Sequence, residues 1–340
     1  MNFLSIAVTL SIVALQLVHV AGENSESNVD SFSQHARRKV NRHVRPSLSL
    51  VASEFSKSQP HFELKDMILA KSSVEDYRGN NYYCFVFNSG ADQYVSREML
   101  ANGCEWEGFL NELIRHLVKE ETSKTGLPPS KLLIVDVGAN LGSFTLAAAA
   151  TGCHVHAFEM QIVCYTMVEM STRMSGYADR VKVHNVPLWN ETIETSYTPS
   201  YGNFGGTYLR KDSTGQMKVL SQRMDKYVTE PSVFFIKLDI EGAEERALLG
   251  LSHLVNERKI KYIAIGDSGT AHYSLLTWLY GAGYTCRNYG PAGTSNINPI
   301  DCSKPHEKID SSCYWPTFTD LKEKFDAIKR GHINVLCFPV

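Results

Sequence analysis

The stretch LLIVDVGANLGSFTLAAAATGCHVHAFE, residues 132–159, sets Asp136, Gly138, Asn140 and Gly142 between an apolar run and an alanine-rich run, then reaches Glu159. LLIVDV is short and apolar almost throughout, the pattern of a strand covered on both faces. SFTLAAAA reads as helix, because alanine has the highest helix propensity. HVHAFE reads as a second strand. Gly138 is expected to turn the chain where a Cβ would clash. Asn140 is one of the few non-glycine residues that tolerate a left-handed backbone. Gly142 is expected to allow close approach at the helix start. The helix N-terminus presents free N–H groups and the positive end of its dipole. In doubly wound sheets, such a turn at the carboxyl end of a parallel strand is where ligands bind.

The acids narrow the ligand. Asp136 ends its strand at the mouth of the turn, where a carboxylate suits an ammonium group and repels a pyrophosphate. Glu159 ends the next strand, a place from which an acid takes the two hydroxyls of a ribose. A ligand with an amino-acid end and a ribose is S-adenosylmethionine. A dinucleotide more often takes a GxGxxG turn without the leading acid.

A second group lies in FFIKLDIEGAEERALLG, residues 234–250. Lys237, Asp239 and Glu241 fall at or just beyond the end of a buried strand and share one face if the strand persists. Asp239 is expected to orient donor or acceptor and to take the acceptor's proton. Glu241 is expected to cap the next helix or to act as a base, and His184 is a further candidate base.

Beyond these motifs, strand and helix alternate as in a parallel α/β sheet with right-handed crossovers. QIVCYTMVEMSTRM reads as helix, RVKVHNVPL as strand and AEERALLGLSHLV as one helix. KYIAIGD, YTCRNYG and HINVLCFPV read as strands, and YSLLTWLYGAG as helix. TYLRK and MKVLSQR around DSTG read as a hairpin. Upstream, MILAKSSV and YYCFVFN read as paired strands, and EWEGFLNELIRHLVKEE as an amphipathic helix.

Taken together, DVGANLGSFTLAAA, VHAFE, GNFGGTYL and IKLDIEGAE resemble the FkbM family of S-adenosylmethionine-dependent methyltransferases, over residues 92 to 285. The resemblance implies a class I methyltransferase (Rossmann-like) α/β fold: a doubly wound, mostly parallel seven-stranded sheet whose last strand is antiparallel, with a small N-terminal cap. It implies methyl transfer to an oxygen, often a hydroxyl of a sugar or natural product. By motif position, Asp136, Gly138, Asn140, Gly142 and Glu159 would hold the cofactor. Asn203, Gly205 and Gly206, with Asp239 and Glu241, would shape the site. The strand KYIAIGDSG departs from the family pattern. It has Gly266 and Asp267 where many relatives end in a glutamate, and Asp267 is taken as the substitute on the acceptor side.

The rest of the chain sets the context. At 340 residues and a formal charge of −2, it is long enough for a sizeable core and gives no reason to expect nucleic acid as partner. Residues 1–22 hold an apolar run with small residues at a cleavage spacing, read as a secretory signal peptide or an uncleaved signal anchor. Residues 23–60 read as a disordered linker carrying the basic run 36–45. Residues 61–130 read as the N-terminal cap and 131–340 as the methyltransferase domain. Eight cysteines fit an oxidising compartment. Cys153 and Cys164 are expected to be buried thiols, and bridges are expected among Cys84, Cys104, Cys286, Cys302, Cys313 and Cys337. Asn190 in NET is a glycosylation acceptor site. No spacing of acids, histidines or cysteines marks a metal site. The expected acceptor is a glycan or small molecule in the secretory pathway lumen, with membrane contact only through an uncleaved anchor. Two other readings are a catalytically inactive binding module on the same fold and a nicotinamide-dependent oxidoreductase.

Overall fold

The computed structural model describes residues 67–88, 92–212, 214–267, 273–289, 314–315, 319–320 and 333–340. The signal or anchor at 1–22, the linker at 23–60, Cys302 and Cys313 lie outside these residues.

The central sheet forms around β3 (Leu133–Val137), which is buried along its whole length. On one side lie β4 (His154–Phe158) and β5 (Val181–His184), both parallel to it in order. On the other lie β8 (Val233–Leu238) and β9 (Ile260–Asp267), also parallel. β12 (Ile333–Pro339) then enters antiparallel between β9 and β10 (Tyr284–Asn288). This order, β5-β4-β3-β8-β9-β12-β10, is the class I methyltransferase sheet. A two-residue strand, β11 (Tyr314–Trp315), adds an eighth member at the β10 edge.

Alternation along β3 splits its side chains between two cores. Leu133, Val135 and Val137 join one core with Leu248, Leu275 and Val335. Ile134 joins the other with Phe144, Phe235 and the N-terminal segment. The helix α3 (Ser143–Ala150) is buried on every side. Its run of alanines lets it lie close under the sheet, and a helix with no charged face belongs in a core.

The N-terminal segment forms the expected hairpin, β1 (Met67–Glu75) against β2 (Asn81–Phe87). Its turn closes on Asp76, whose carboxylate accepts the backbone N–H of Arg78 and of Asn80. Two helices follow, α1 (Val95–Ala101) and α2 (Gly108–Thr125). Their apolar faces join the same core as Ile134, so the cap and the sheet share one interior. A disulfide, Cys84–Cys104, ties β2 to the loop after α1, and Cys286–Cys337 joins β10 to β12. Cys153 and Cys164 are free and buried.

Two local expectations are corrected. Residues 243–255 do not form one helix. They divide into α5 (Glu244–Leu248), a 3-10 turn at Leu249–Leu251 and α6 (Ser252–Asn256). The break falls at Gly250, where a Cβ would lie 2.7 Å from the Met224 backbone nitrogen. The close packing of the two segments takes precedence over helix continuation. The hairpin around DSTG is also different. β7 (Met217–Leu220) pairs with the upstream β6 (Glu194–Tyr197), while Arg210 makes only an isolated bridge to Ser196. The Ser196 hydroxyl donates to the Asp212 carbonyl and accepts the Gly215 N–H. That folds the intervening loop back, and Thr207 lines the cleft with its hydroxyl donating to Gln161. The remaining helices, α4 (Ile162–Met174) and α7 (Tyr273–Gly281), lie where the sequence places them. Among the described residues, no helix is long and apolar enough to cross a membrane.

Candidate functional site

A cleft of about 470 Å³ opens at the carboxyl ends of β3, β4 and β8. Its floor is the turn after β3. Gly138 has φ +87, and the Gly138 and Ala139 N–H groups both donate to the Phe158 carbonyl at 3.0 Å. A Cβ on Gly138 would sit 1.9 Å from the Asp239 carbonyl oxygen, so only glycine fits. Asn140 adopts φ +49 and Gly142 φ +85, the left-handed conformations expected for both. Gly142 packs on Val168 and stands behind the cleft wall, outside its lining.

Glu159 lines the cleft at 5% exposure. Its two oxygens accept the Asn140 and Gln161 backbone N–H groups, each at 2.8 Å. Burial pushes its carboxyl up to about 7, against the pull of those two donors. A carboxylate offers about four acceptor sites, so roughly two remain for a ligand.

Asp136 is not where the sequence reading places it. It is wholly buried and does not line the cleft. Alternation turns it to the same side of the sheet as Ile134, where the Thr145 hydroxyl donates to it at 2.6 Å. Its cross-strand neighbour is Lys237, whose Nζ lies 3.5 Å away. The ammonium facing this carboxylate is therefore the protein's own. Lys237 Nζ also pairs with Asp239 at 3.1 Å and donates to the Gly138 carbonyl at 3.2 Å. Burial works against the Lys237 charge, but Asp239, Asp136 and Glu107 outweigh it and raise its pKa. We take it as an ammonium ion. Burial is also the largest influence on Asp136 and raises its carboxyl, opposed by Lys237 and Thr145.

Asp239 lies one residue past β8, 38% exposed and facing the cleft. Gly266 lines the cleft beside it, and a Cβ there would come within 3.2 Å of the Asp239 carboxylate. Asp267 is the last residue of β9, paired through its backbone with Ile333. Glu241 also lines the cleft, in a left-handed turn at φ +54. The strand does not persist that far. No side chain caps α5: its N-cap is Ala243, and Glu244, its first residue, reaches back to accept the Ile240 and Gly242 N–H groups of the preceding turn. Asn203, Gly205 and Gly206 form the opposite wall, with the Asn203 side chain accepting the Gly206 N–H.

His184 is absent from the lining. It stacks on Phe158 at 4.7 Å and lies 3.3 Å from His156, and burial lowers its pKa to about 4. Asn190 is half-buried in the segment after β5 and also stands outside the lining. Among the described residues, no group of three or more His, Cys, Asp or Glu is placed to hold a metal ion.

The sequence reading missed Glu107, which the cap contributes together with Tyr94, Trp106 and Phe109. The five acids Glu107, Glu159, Asp239, Glu241 and Glu244 line the cleft, and no Lys, Arg or His does so among the described residues.

Strand order and an acid-lined cleft at the carboxyl edge define a class I methyltransferase fold. Residues 136–286 match the family model described as the methyltransferase FkbM domain. A curated relative, the AMB antimetabolite synthetase AmbE of Pseudomonas aeruginosa, is 24% identical over 163 residues. That match spans 47% of this chain but only 8% of the relative. Among solved structures, an rRNA methylase from Streptococcus thermophilus superposes with a TM-score of 0.37 at 11% identity, covering 67% of this chain and 95% of that one. A human methyltransferase 10 domain containing protein gives 0.34 at 12%, covering 68% and 82%.

Proposed function

We propose that the protein is an S-adenosylmethionine-dependent O-methyltransferase acting on a hydroxyl of a glycan or small molecule in the secretory pathway. The observation that carries this reading is the charge of the cleft. Among the described residues, five acids and no Lys, Arg or His line it, which suits a cofactor bearing a sulfonium and an ammonium and opposes the pyrophosphate of a nicotinamide dinucleotide. The same charge disfavours a nucleic acid acceptor. Glycine at 138 lets the Asp239 carbonyl close against the turn, which brings Asp239 and the turn after β3 together at the cleft. Glu159 has acceptor sites left for the ribose hydroxyls.

When bound, the cofactor supplies an electrophilic methyl group on a positively charged sulfur. The chain's part is to orient the acceptor oxygen in line and to take its proton. Asp239 faces the cleft with Lys237 behind it, and that ion pair fixes its direction. Trp106, Phe109 and Phe204 supply apolar walls to the cleft. The two disulfides are compatible with a lumenal or secreted protein.

Calorimetric titration of the full-length protein with S-adenosylmethionine, with NAD in parallel, tests the reading. Micromolar binding of the first alone is expected. A folded protein that binds neither would remove the proposal, and binding of NAD alone would replace it with an oxidoreductase. Within the same experiment, Glu159→Ala is expected to cost about 1.5–3 kcal/mol of cofactor affinity, the scale of hydrogen bonds to a charged group. Unchanged affinity would refute the ribose role.

A further inference from the structure

Glu107 lies outside the matched domain, on the cap, yet its carboxylate lines the cleft. Its backbone is left-handed, φ +52, which a non-glycine residue adopts at a cost. Such a conformation persists only where the surroundings impose it, and here three restraints do. The Ser143 hydroxyl accepts the Trp106 N–H at 2.8 Å and donates to the Trp106 carbonyl at 3.2 Å. Glu105 is held by Arg115 at 2.7 Å. Cys104 is fixed by its disulfide to Cys84. The peptide preceding Glu107 is thereby fastened to the first residue of α3, next to the Gly138 turn.

Three of the other cleft acids are engaged within the protein: Glu159 accepts two backbone N–H groups, Glu244 accepts the Ile240 and Gly242 N–H groups and Asp239 pairs with Lys237. The Glu107 carboxylate has no hydrogen-bond donor among the described residues. It faces Asp239, Lys237 and Glu98. Burial, then Asp239, pushes its carboxyl up to about 7, with Lys237 opposing and Glu98 adding to the rise. An incoming positive charge relieves that strain.

Resting on the proposed cofactor, we infer that Glu107 is a specificity residue that recognises the sulfonium charge and so distinguishes S-adenosylmethionine from its product, S-adenosylhomocysteine, whose sulfur is uncharged. The two ligands share the adenosine and the amino-acid end. They differ by one methyl group and one positive charge, so their affinity ratio isolates the recognition of that charge. Methyl transfer removes the charge, and the acid then favours exchange of product for fresh cofactor.

The test is calorimetry of the full-length protein at pH 8 with both ligands, for wild type, Glu107→Gln and Glu107→Asp. Glu112→Gln, exposed on the same helix, serves as control. Wild type is expected to prefer the sulfonium ligand. Glu107→Gln is expected to weaken it about tenfold, within the range of one charge pair in a partly buried site, while the product's affinity stays within about twofold. Glu107→Asp should restore part of the preference, and the control should match wild type. Equal loss for both ligands would overturn the inference, because it would place the carboxylate at the shared ammonium. No change for either would also overturn it, as would a wild type that prefers the product, a result that needs no folded variant. Failure of wild type to bind S-adenosylmethionine at all would instead strike the proposed cofactor.

Discussion

Gly138→Ala is expected to lower stability by about 2–5 kcal/mol and to abolish measurable binding of S-adenosylmethionine. Two costs add. A left-handed alanine costs about 1–2 kcal/mol, and forcing a methyl into packed space costs about 1–3 kcal/mol more. The packing cost falls at the high end because the obstructing atom is backbone. The Asp239 carbonyl oxygen would be 1.9 Å from the new Cβ, and the Asp239 carbonyl carbon and Ile240 Cγ2 3.0 Å. No rotamer change can clear a carbonyl. β3 and β8 would have to separate at the point where Asp239 N–H donates to the Val137 carbonyl. Gly202→Ala is the matched control: its φ is +84, but nothing lies within 4 Å of the added atom. It should show the backbone cost alone. Denaturant unfolding of both variants decides the matter. Equal losses would mean that the contact with Asp239 contributes nothing.

The sequence made that turn legible because each of its residues answers a local steric question. A glycine after an apolar strand, an asparagine two places on and a second glycine before an alanine helix have few other uses. The central strands were legible for a related reason: burial on both faces leaves a nearly continuous apolar run, broken in LLIVDV and VFFIKL only by Asp136 and Lys237, which face each other. Orientation was harder. Asp136 stands at the mouth of the turn in sequence, but its direction depends on the pleat and on its register with Lys237, a residue 101 positions away. Glu107 was invisible for a similar reason. It belongs to a segment without strand-helix alternation, and only the hydrogen bonds between Trp106 and Ser143 bring it to the cleft. The capping role expected of Glu241 is filled by no side chain. Glu241 and Glu244 are both acids near the start of α5, and the left-handed turns at Glu241 and Gly242 leave Glu241 at the cleft while Glu244 reaches back to the preceding turn. β7 was identified as a strand but assigned the wrong partner, since a short run carries no record of which neighbour it pairs with.

The same cross-strand contact yields the second large effect. Lys237→Met is expected to destabilise the protein by about 3–5 kcal/mol, the cost of leaving a buried charge without its partner. Methionine keeps the length and apolar stem of lysine, so little packing is lost. Asp136 would then retain only the Thr145 hydroxyl, with one carboxylate oxygen already lacking a hydrogen bond. Burial raises its pKa in the wild type, and loss of Lys237 raises it further. A carboxyl whose folded pKa exceeds its unfolded value binds more protons when folded. Its stabilising contribution is present below the ordinary value of 3.8 and is lost as pH rises through the folded value. The penalty of Lys237→Met should therefore be larger at pH 8 than at pH 5. Adding Asp136→Asn should recover most of it, because an amide buried beside Thr145 carries no charge to compensate. If the double variant is as unstable as Lys237→Met at both pH values, the loss comes from the broken bond to the Gly138 carbonyl and not from the stranded charge. In that case Lys237 acts chiefly as a brace for the turn, and Asp136 is already neutral in the native protein.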